Sequence, residues 1–435
     1  MSILSQGKAY LNFCYIGGVL NSVISDGTLI ANFAVKSIYV YEDICKPYFT
    51  ATMVIENFLN VTELFLAPTV PVFISFVAPN DIGVSVVYEE GFSILEYSTK
   101  IVDIGAQGRS ETTIQLVGLE YYKDHNNVVI RNFKNQIGTA AAREIHDSFI
   151  SVNGSMSIPV PSKGMIGLDD RAHEVDRLHP FTAIRNILTR CVFAQYPTCA
   201  PVYYRNKQGY KIAPLQYLLE AQSPVQLFEE RPAAGTDFLA NVVKYNEILE
   251  LKQEMPRNRH ASKLSDSLQS FDIKGGLFFP NTSGKIAAQS LLKTATKSKE
   301  ILKELNSFLS TVGQSKSGQS IFGIINKHLQ KLEVTKDGPG QYIIQQAGFL
   351  AAVGYSPMYT ILVPLQTGGK VTCGNKIEIV YPINDQLTRR KLFVPRLVHK
   401  LEMVKTSSNL PGYQQERETQ SYAGTTELTA LYWKN

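Results

Sequence analysis

The stretch VVIRNFKNQIGTAAAREIHDSFI, Val128 to Ile150, changes its period halfway. Val128, Ile130 and Asn132 alternate with Val129, Arg131 and Phe133, the two-residue repeat of a strand. From Ile137 the apolar residues recur every four positions, and Ala141, Ile145 and Phe149 form one helical stripe. Thr139 is the expected N-cap. Arg143, Glu144 and His146 fall off the stripe. The sequence therefore predicts a strand that leaves its sheet and feeds a short packing helix. Phe133 and Phe149 are expected to be core at that junction.

Upstream, from Ala9 to Ile130, nearly everything reads as strand. The segments 36–44, 48–57, 71–79, 83–106 and 111–122 are rich in β-branched and aromatic residues in partial alternation, with turn residues between them. In ETTIQLVGLEYY (111–122), Ile114 and Leu116 alternate with Thr113, Gln115 and Val117, so one face is buried. Strands at this spacing predict an antiparallel barrel or sandwich. A helical signal interrupts it at 60–68.

Downstream, a connector rich in Pro, Gly and Ser (151–167) precedes a helix at 179–194. Pro180 suits its first turn, and Phe181, Ile184, Ile187, Leu188, Cys191 and Val192 make one apolar face. Residues 200–220 read as strand, tight turn at 206–209, strand and short helix. Strands return around 241–279, residues 284–333 read as helical, and the chain goes back to β at 358–382, 396–404 and 425–433. The expected fold is mainly β with α/β elements. It has a first antiparallel β-barrel at 1–134, a helix-rich α+β connecting domain with a small hairpin at 135–240, and a second barrel at 241–435. The second barrel is split by a helical insertion at about 284–333.

The composition narrows the function. A chain of 435 residues suffices for two to four domains of roughly 100–200 residues each. Hydrophobic residues at 44% and charged residues at 19% exclude disorder of the whole chain. A net charge of +5 is too weak and too dispersed for a dedicated nucleic-acid binder. The cysteines Cys14, Cys45, Cys191, Cys199 and Cys373 are odd in number and form no CxxC pair, so reduced thiols and no zinc site are expected. The N-terminus lacks a basic segment followed by an apolar one, so no export signal is expected. No apolar run approaches the roughly 18–20 residues that span a bilayer.

Motifs for chemistry are sparse. GQSKSGQS (313–320) has glycines at the spacing of a phosphate loop, but position 319 is Gln where that loop needs Lys. LDDRAHEVDRLH (168–179) gathers acids and histidines without the HExxH spacing, and reads as a charged lead into the following helix. No GxSxG elbow exists. Cys191 and His399 read as packed side chains, and Glu89 and Glu90 point to opposite faces of a strand. Lys285, Lys293, Lys297, Lys299 and Lys303 lie along the helical insertion with Glu300 and Glu304. They form a solvated face, of which Lys293, Lys297 and Lys299 are the candidate lumen or partner surface.

Two β regions flanked by packing helices, without a catalytic constellation, describe an architectural protein. The chain resembles the baseplate hub proteins of contractile phage tails, which are related to the barrel region of type VI secretion spike proteins. Arg131 and Phe133, followed by the helix at 139–150, look like that family's exit from its first barrel. The segment HPFTAIRNILTRCVF, followed by PVYYRNKQGYKIAPLQYLL with its turn at Gly209, is similar to the hub pattern of helix, aromatic strand, turn, strand and short helix. GKVTCGNKIEIVYP, VPRLVHKLEM and TTELTALYW look like the closing strands of a second barrel. The insertion at 284–333 departs from the pattern. The resemblance implies a homotrimer whose two tube-like barrels per chain form a pseudo-sixfold ring. That ring joins a hexameric tail tube protein to a trimeric central spike protein among other baseplate proteins, and lets DNA pass. It further implies residence in the virion, no cofactor and no membrane insertion. Arg131, Phe133, Ile145 and Phe149 are then a structural junction. Two other readings stay open: a tail-associated cell-wall hydrolase, which needs two facing carboxylates, and a host-receptor binding module.

Overall fold

In the computed structural model of the chain, the residues described are 8–25, 28–31, 33–57, 66–80, 83–101, 110–133, 136–151, 156–157, 165–167, 173–188, 191–193, 201–220, 225–229, 247–254, 357–383, 386–404 and 421–432. The expected helices at 60–68 and 284–333 lie mostly or wholly outside them. The chain divides into two compact units. One comprises residues 1–122, 222–253 and 358–432; the other comprises 123–221, 254–357 and 433–435.

The first unit opens with β1 (Lys8–Ile16), β2 (Val19–Leu20), β3 (Ser22–Ser25), β4 (Thr28–Ala31), β5 (Phe33–Asp43), β6 (Thr50–Asn57), β7 (Pro71–Asn80), β8 (Gly83–Ile101) and β9 (Ser110–Gly118). The strand expected to run to 122 ends at Gly118, where α1 (Leu119–Asn126) begins. The second unit carries β10 (Val129–Phe133), α2 (Gly138–Ile145) with a π-turn (His146–Ile150), β11 (Met156–Ser157), β12 (Met165–Gly167), β13 (His173–Leu178), α3 (Pro180–Leu188), β14 (Cys191–Phe193), β15 (Pro201–Asn206), β16 (Gly209–Pro214) and α4 (Leu215–Glu220). The chain then returns to the first unit through β17 (Val225–Glu229), β18 (Glu247–Ile248), β19 (Glu250–Glu254), β20 (Met358–Pro364), α5 (Leu365–Gly368), β21 (Lys376–Ile383), β22 (Gln386–Val404) and β23 (Ser421–Leu431).

A large, mainly antiparallel sheet organises the first unit. Its strands run in the order β18-β17-β21-β22-β5-β6-β9-β8-β7-β1-β23-β20-β19, and β22 also pairs with β23. The last pairing closes a circuit: β22, β5, β6, β9, β8, β7, β1, β23 and back to β22. A second circuit shares β22 and β23. From β22 it runs through β21 and, in parallel, β17 and β18. Leu249, just after β18, then donates its N–H to Leu362 O of β20 at 2.7 Å, and β20 pairs with β23. The division expected from the sequence gave 1–134 and 241–435 a barrel each. In the structure β5 pairs with β22 and β1 with β23, so both stretches contribute to the first circuit.

Period-two alternation builds two apolar clusters. On β9, Ile114 and Leu116 are buried while Thr113 and Gln115 are half-buried on the other face. Across the ladders Ile38 meets Met53, and Met53 meets Ile114. One apolar cluster gathers such residues from β1, β5, β6, β7, β8 and β9, with Leu401 and Tyr422. A second gathers Leu227, Ile361, Ile377, Ile379, Leu392, Leu397 and Leu428. Each fully buried Ile, Leu or Phe is worth about 1.5–3 kcal/mol in water transfer. Gly424 lets α5 lie against β23, since a Cβ there would stand 2.6 Å from Ala9 Cβ and 2.8 Å from Leu365 Cβ.

The second unit packs α2 and α3 among short strand pairs. β10 pairs antiparallel with β13, β15 with β16, and β12 with β14. The expected hairpin therefore forms, with its turn at Lys207–Gln208 and Gly209 at φ 108°. Two expectations change. The helix expected over 179–194 ends at Leu188, and Cys191 opens β14 rather than lining a helix face. Residues 173–178 form the partner strand of β10, and the charged Asp176 and Arg177 are exposed on it.

Candidate functional site

The junction read from the sequence lies entirely within the second unit. Val129 and Phe133 point into it and are buried, while Ile130 is 65% exposed. The helix starts at Gly138 with Ile137 at the cap position and no side-chain cap bond, so Thr139 is not the N-cap. Thr139 instead lies buried in the first turn. Ile145 is fully buried as expected. Beyond it the helix widens into the π-turn, with Ser151 N–H donating to His146 O at 2.9 Å. That turn carries His146 inside and leaves Phe149 half-buried, contrary to the expectation that Phe149 is core. Arg131 Nη1 lies 2.5 Å from Glu144 Oε1, and its guanidinium sits 5.6 Å from the Phe149 ring centroid. Gln136 Nε2 donates to the other Glu144 oxygen at 3.3 Å. Strand and helix are thus tied at the rim by Arg131, Glu144 and Phe149, while Phe133 and Ile145 are each buried.

Two polar groupings in the same unit were not legible as such. His146 Nδ1 lies 3.0 Å from Tyr203 Oη, and Tyr210 packs edge-on to the imidazole with centroids 4.2 Å apart. Asp124 accepts the Phe181 N–H at 2.6 Å and thereby caps α3 from a distant segment. Burial pushes the Asp124 carboxyl above its usual range, although the Phe181 N–H pulls the other way. His179 Nδ1 stands 3.0 and 3.1 Å from the carbonyl oxygens of Asp124 and Asn127, so that nitrogen carries a proton. Local patterns such as HExxH and GxSxG cannot contain these groupings, because their members lie more than 50 residues apart in the chain.

In the first unit, the outward face of β5, β6 and β9 is polar with little free charge. Thr52 Oγ1 donates to Gln115 Oε1 at 2.9 Å. Lys36 is held by Glu111 at 2.6 Å and Glu56 at 3.7 Å, and the Glu111 bond raises its pKa most. Tyr39 donates to Glu402 at 2.6 Å, and its pKa is pushed up to about 12, first by burial and then by that bond. On β1 and β7, Tyr15 and Phe73 are cross-strand partners and both are exposed.

Among the described residues no group of three or more His, Cys, Asp and Glu stands close enough to hold a metal ion. Cys14, Cys45 and Cys373 are buried thiols outside any disulfide, and burial pushes Cys14 up to about 12. No helix among the described residues is long and apolar enough to cross a membrane. Lys293, Lys297 and Lys299 lie outside the described residues.

No protein-family model matches this sequence, and no curated protein matches it significantly. Solved structures align with it over nearly its full length. It is similar to a tail protein from Neisseria meningitidis MC58, with 11% identity, 94% of this chain and 95% of that chain covered, and a TM-score of 0.45. It is similar to the 43 kDa tail protein of prophage MuSo2 from Shewanella oneidensis, with 7% identity, 98% of each chain covered and a TM-score of 0.46. It is also similar to an E. coli component of the type VI secretion system that exhibits structural similarity to the T4 bacteriophage tail proteins gp27 and gp5. There the identity is 7%, the coverage 97% of this chain and 77% of that one, and the TM-score 0.41.

Proposed function

We propose that this chain is the structural hub of a contractile phage tail baseplate, a virion protein without enzymatic activity. Three copies form a ring in which each chain's two pairing circuits act as tube-type barrels. Three copies of two barrels present six near-equivalent positions to a hexameric tail tube and three to a trimeric central spike. The observation that carries this reading is the pair of closed circuits sharing β22 and β23, each around its own apolar cluster. A chain that builds two ring-like units side by side has the repeat needed to match a sixfold partner to a threefold one. The outward face of β5, β6 and β9 suits a channel for DNA, since Thr52, Thr113 and Gln115 are uncharged and Lys36 is neutralised by Glu56 and Glu111. Such a wall neither binds phosphates tightly nor reads bases.

Light scattering at micromolar concentration tests the reading. The expected result is a trimer, or a monomer that becomes trimeric when the spike protein is co-expressed. A chain that stays monomeric with tube and spike proteins present, and that degrades peptidoglycan in a zymogram, would be a hydrolase instead.

A further inference from the structure

β22 and β23 run through both apolar clusters. Leu392, Leu397 and Leu428 belong to one, and Leu401 and Tyr422 to the other. Between them His399 and Thr426 face each other across the ladder, both fully buried. Glu42 reaches the same place from β5. Its Oε1 lies 3.8 Å from His399 Nε2, with both side chains at 0% exposure. Its Oε2 accepts the Cys373 N–H at 3.1 Å, and His399 Nδ1 lies 2.9 Å from Thr426 Oγ1. The rings of Phe76 and Tyr88 cover the imidazole. A polar group thus interrupts the apolar run of two shared strands.

Among the described residues, the charged neighbours on the packed elements pair with one another. Asp43 of β5 pairs with Arg396 of β22 at 2.5 Å, and Lys400 of β22 pairs with Glu427 of β23 at 2.5 Å. Strand alternation puts all four on the opposite face. From β8 the titratable neighbour is the Tyr88 hydroxyl, and from the segment after α5 it is the Cys373 thiol; neither supplies positive charge. An ionised carboxylate at zero exposure is costly without a counter-charge. His399 is the side chain placed to provide it.

We propose that His399 is protonated on both ring nitrogens at neutral pH, facing Glu42 and Thr426, and that this buried contact is a pH-sensitive clamp between the two apolar clusters. The observed contacts fit that form. The Cys373 N–H donates to Glu42, an imidazolium can donate from Nδ1 to Thr426, and the 3.8 Å between its Nε2 and Glu42 Oε1 is an ion-pair separation longer than a hydrogen bond. The sign follows from proton linkage. The folded chain keeps a proton that an unfolded histidine releases above about pH 6.5. The stability that it brings is therefore complete below that pH and is lost as the pH rises, until the folded chain releases the proton too. The inference does not depend on the hub reading.

Nitrogen-15 spectra of the histidine side chains of the full chain test it, with the His399 resonances assigned through their contacts with the Phe76 and Tyr88 rings. At pH 7.5 both ring nitrogens of His399 should be protonated; a neutral tautomer there overturns the proposal. Urea midpoints give the second arm. The midpoint of the parent should fall between pH 6 and 8.5, and the His399→Gln variant should lose most of that slope. An unchanged slope in a folded variant overturns the clamp. If the variant does not fold, the resonance of the parent decides alone.

Discussion

Phe133 and Phe149 bound one junction but lose different things on truncation. Phe133 is 3% exposed, and Phe133→Ala should cost about 3–5 kcal/mol by leaving a cavity. Phe149 is half-buried beneath the Arg131 guanidinium, and Phe149→Ala should cost about 1–2 kcal/mol. Urea midpoints of the two variants check the order; equal losses would mean that the rim position is packed as tightly as the interior one. Asp124 offers a test by pH. Because burial raises its pKa, the folded chain holds that proton to higher pH than the unfolded chain does. The stabilisation is complete below about pH 3.9, the ordinary Asp value, and is lost as the pH rises through the folded value. Asp124→Asn keeps a carbonyl for the Phe181 N–H and cannot ionise. It should therefore gain on the parent as the pH rises above about 3.9 in thermal melts, and a constant difference would count against the burial argument. Cys14, pushed up to about 12 and fully buried, should resist alkylation at pH 8 until the chain is unfolded. Mass spectrometry of the native protein after iodoacetamide treatment reads this directly.

At the scale of elements, the strand-to-helix change at Phe133 was visible because periods of two and of nearly four differ sharply over a few residues. The fate of the helix end was not. A π-turn inserts an extra residue into the turn, so the stripe through Ala141 and Ile145 no longer continues to Phe149. His146 takes the interior place because Tyr203, far along the chain, offers its imidazole a hydroxyl. The same distance hid Asp124 as the cap of α3, where Pro180 at the first turn was readable and the capping side chain was not. The Arg131–Glu144 pair, with its side chains 39% and 41% exposed, is a clip and not a lock. A double-mutant cycle with Arg131→Ala and Glu144→Ala should give a coupling of about 0.2–1 kcal/mol that shrinks in high salt. A larger, salt-independent coupling would mean that the pair is shielded from solvent.

For the whole molecule, alternation named most strands of the main sheet but not their partners. Ile38, Met53 and Ile114 announce a buried face wherever they pair, since the two-residue repeat fixes which side is inside and leaves the neighbour open. Hairpin neighbours such as β7 and β8 follow from short turns. The pairing of β5 with β22 joins residues such as Ile38 and Leu401, and no local pattern encodes that choice. This is why two separate β regions looked like two separate barrels, when β22 and β23 in fact serve both circuits. Removing residues 405–435, and with them β23, should therefore open both circuits together and drive the chain into the insoluble fraction. A soluble, cooperatively melting truncation would show that one circuit stands without the other.

The shared strands also set a timetable for biosynthesis. When β9 leaves the ribosome, β5 and β1 still lack the partners that will close their ring, because β22 and β23 lie at 386–404 and 421–431. At about 5–20 residues per second, the roughly 270 residues in between take on the order of 15–50 s to make. Throughout that interval the nascent chain presents two raw sheet margins beside other chains on the same message. Slower translation lengthens the exposure and faster translation shortens it, so the yield of folded protein should track elongation speed ahead of β22 more closely than the stability of the finished molecule.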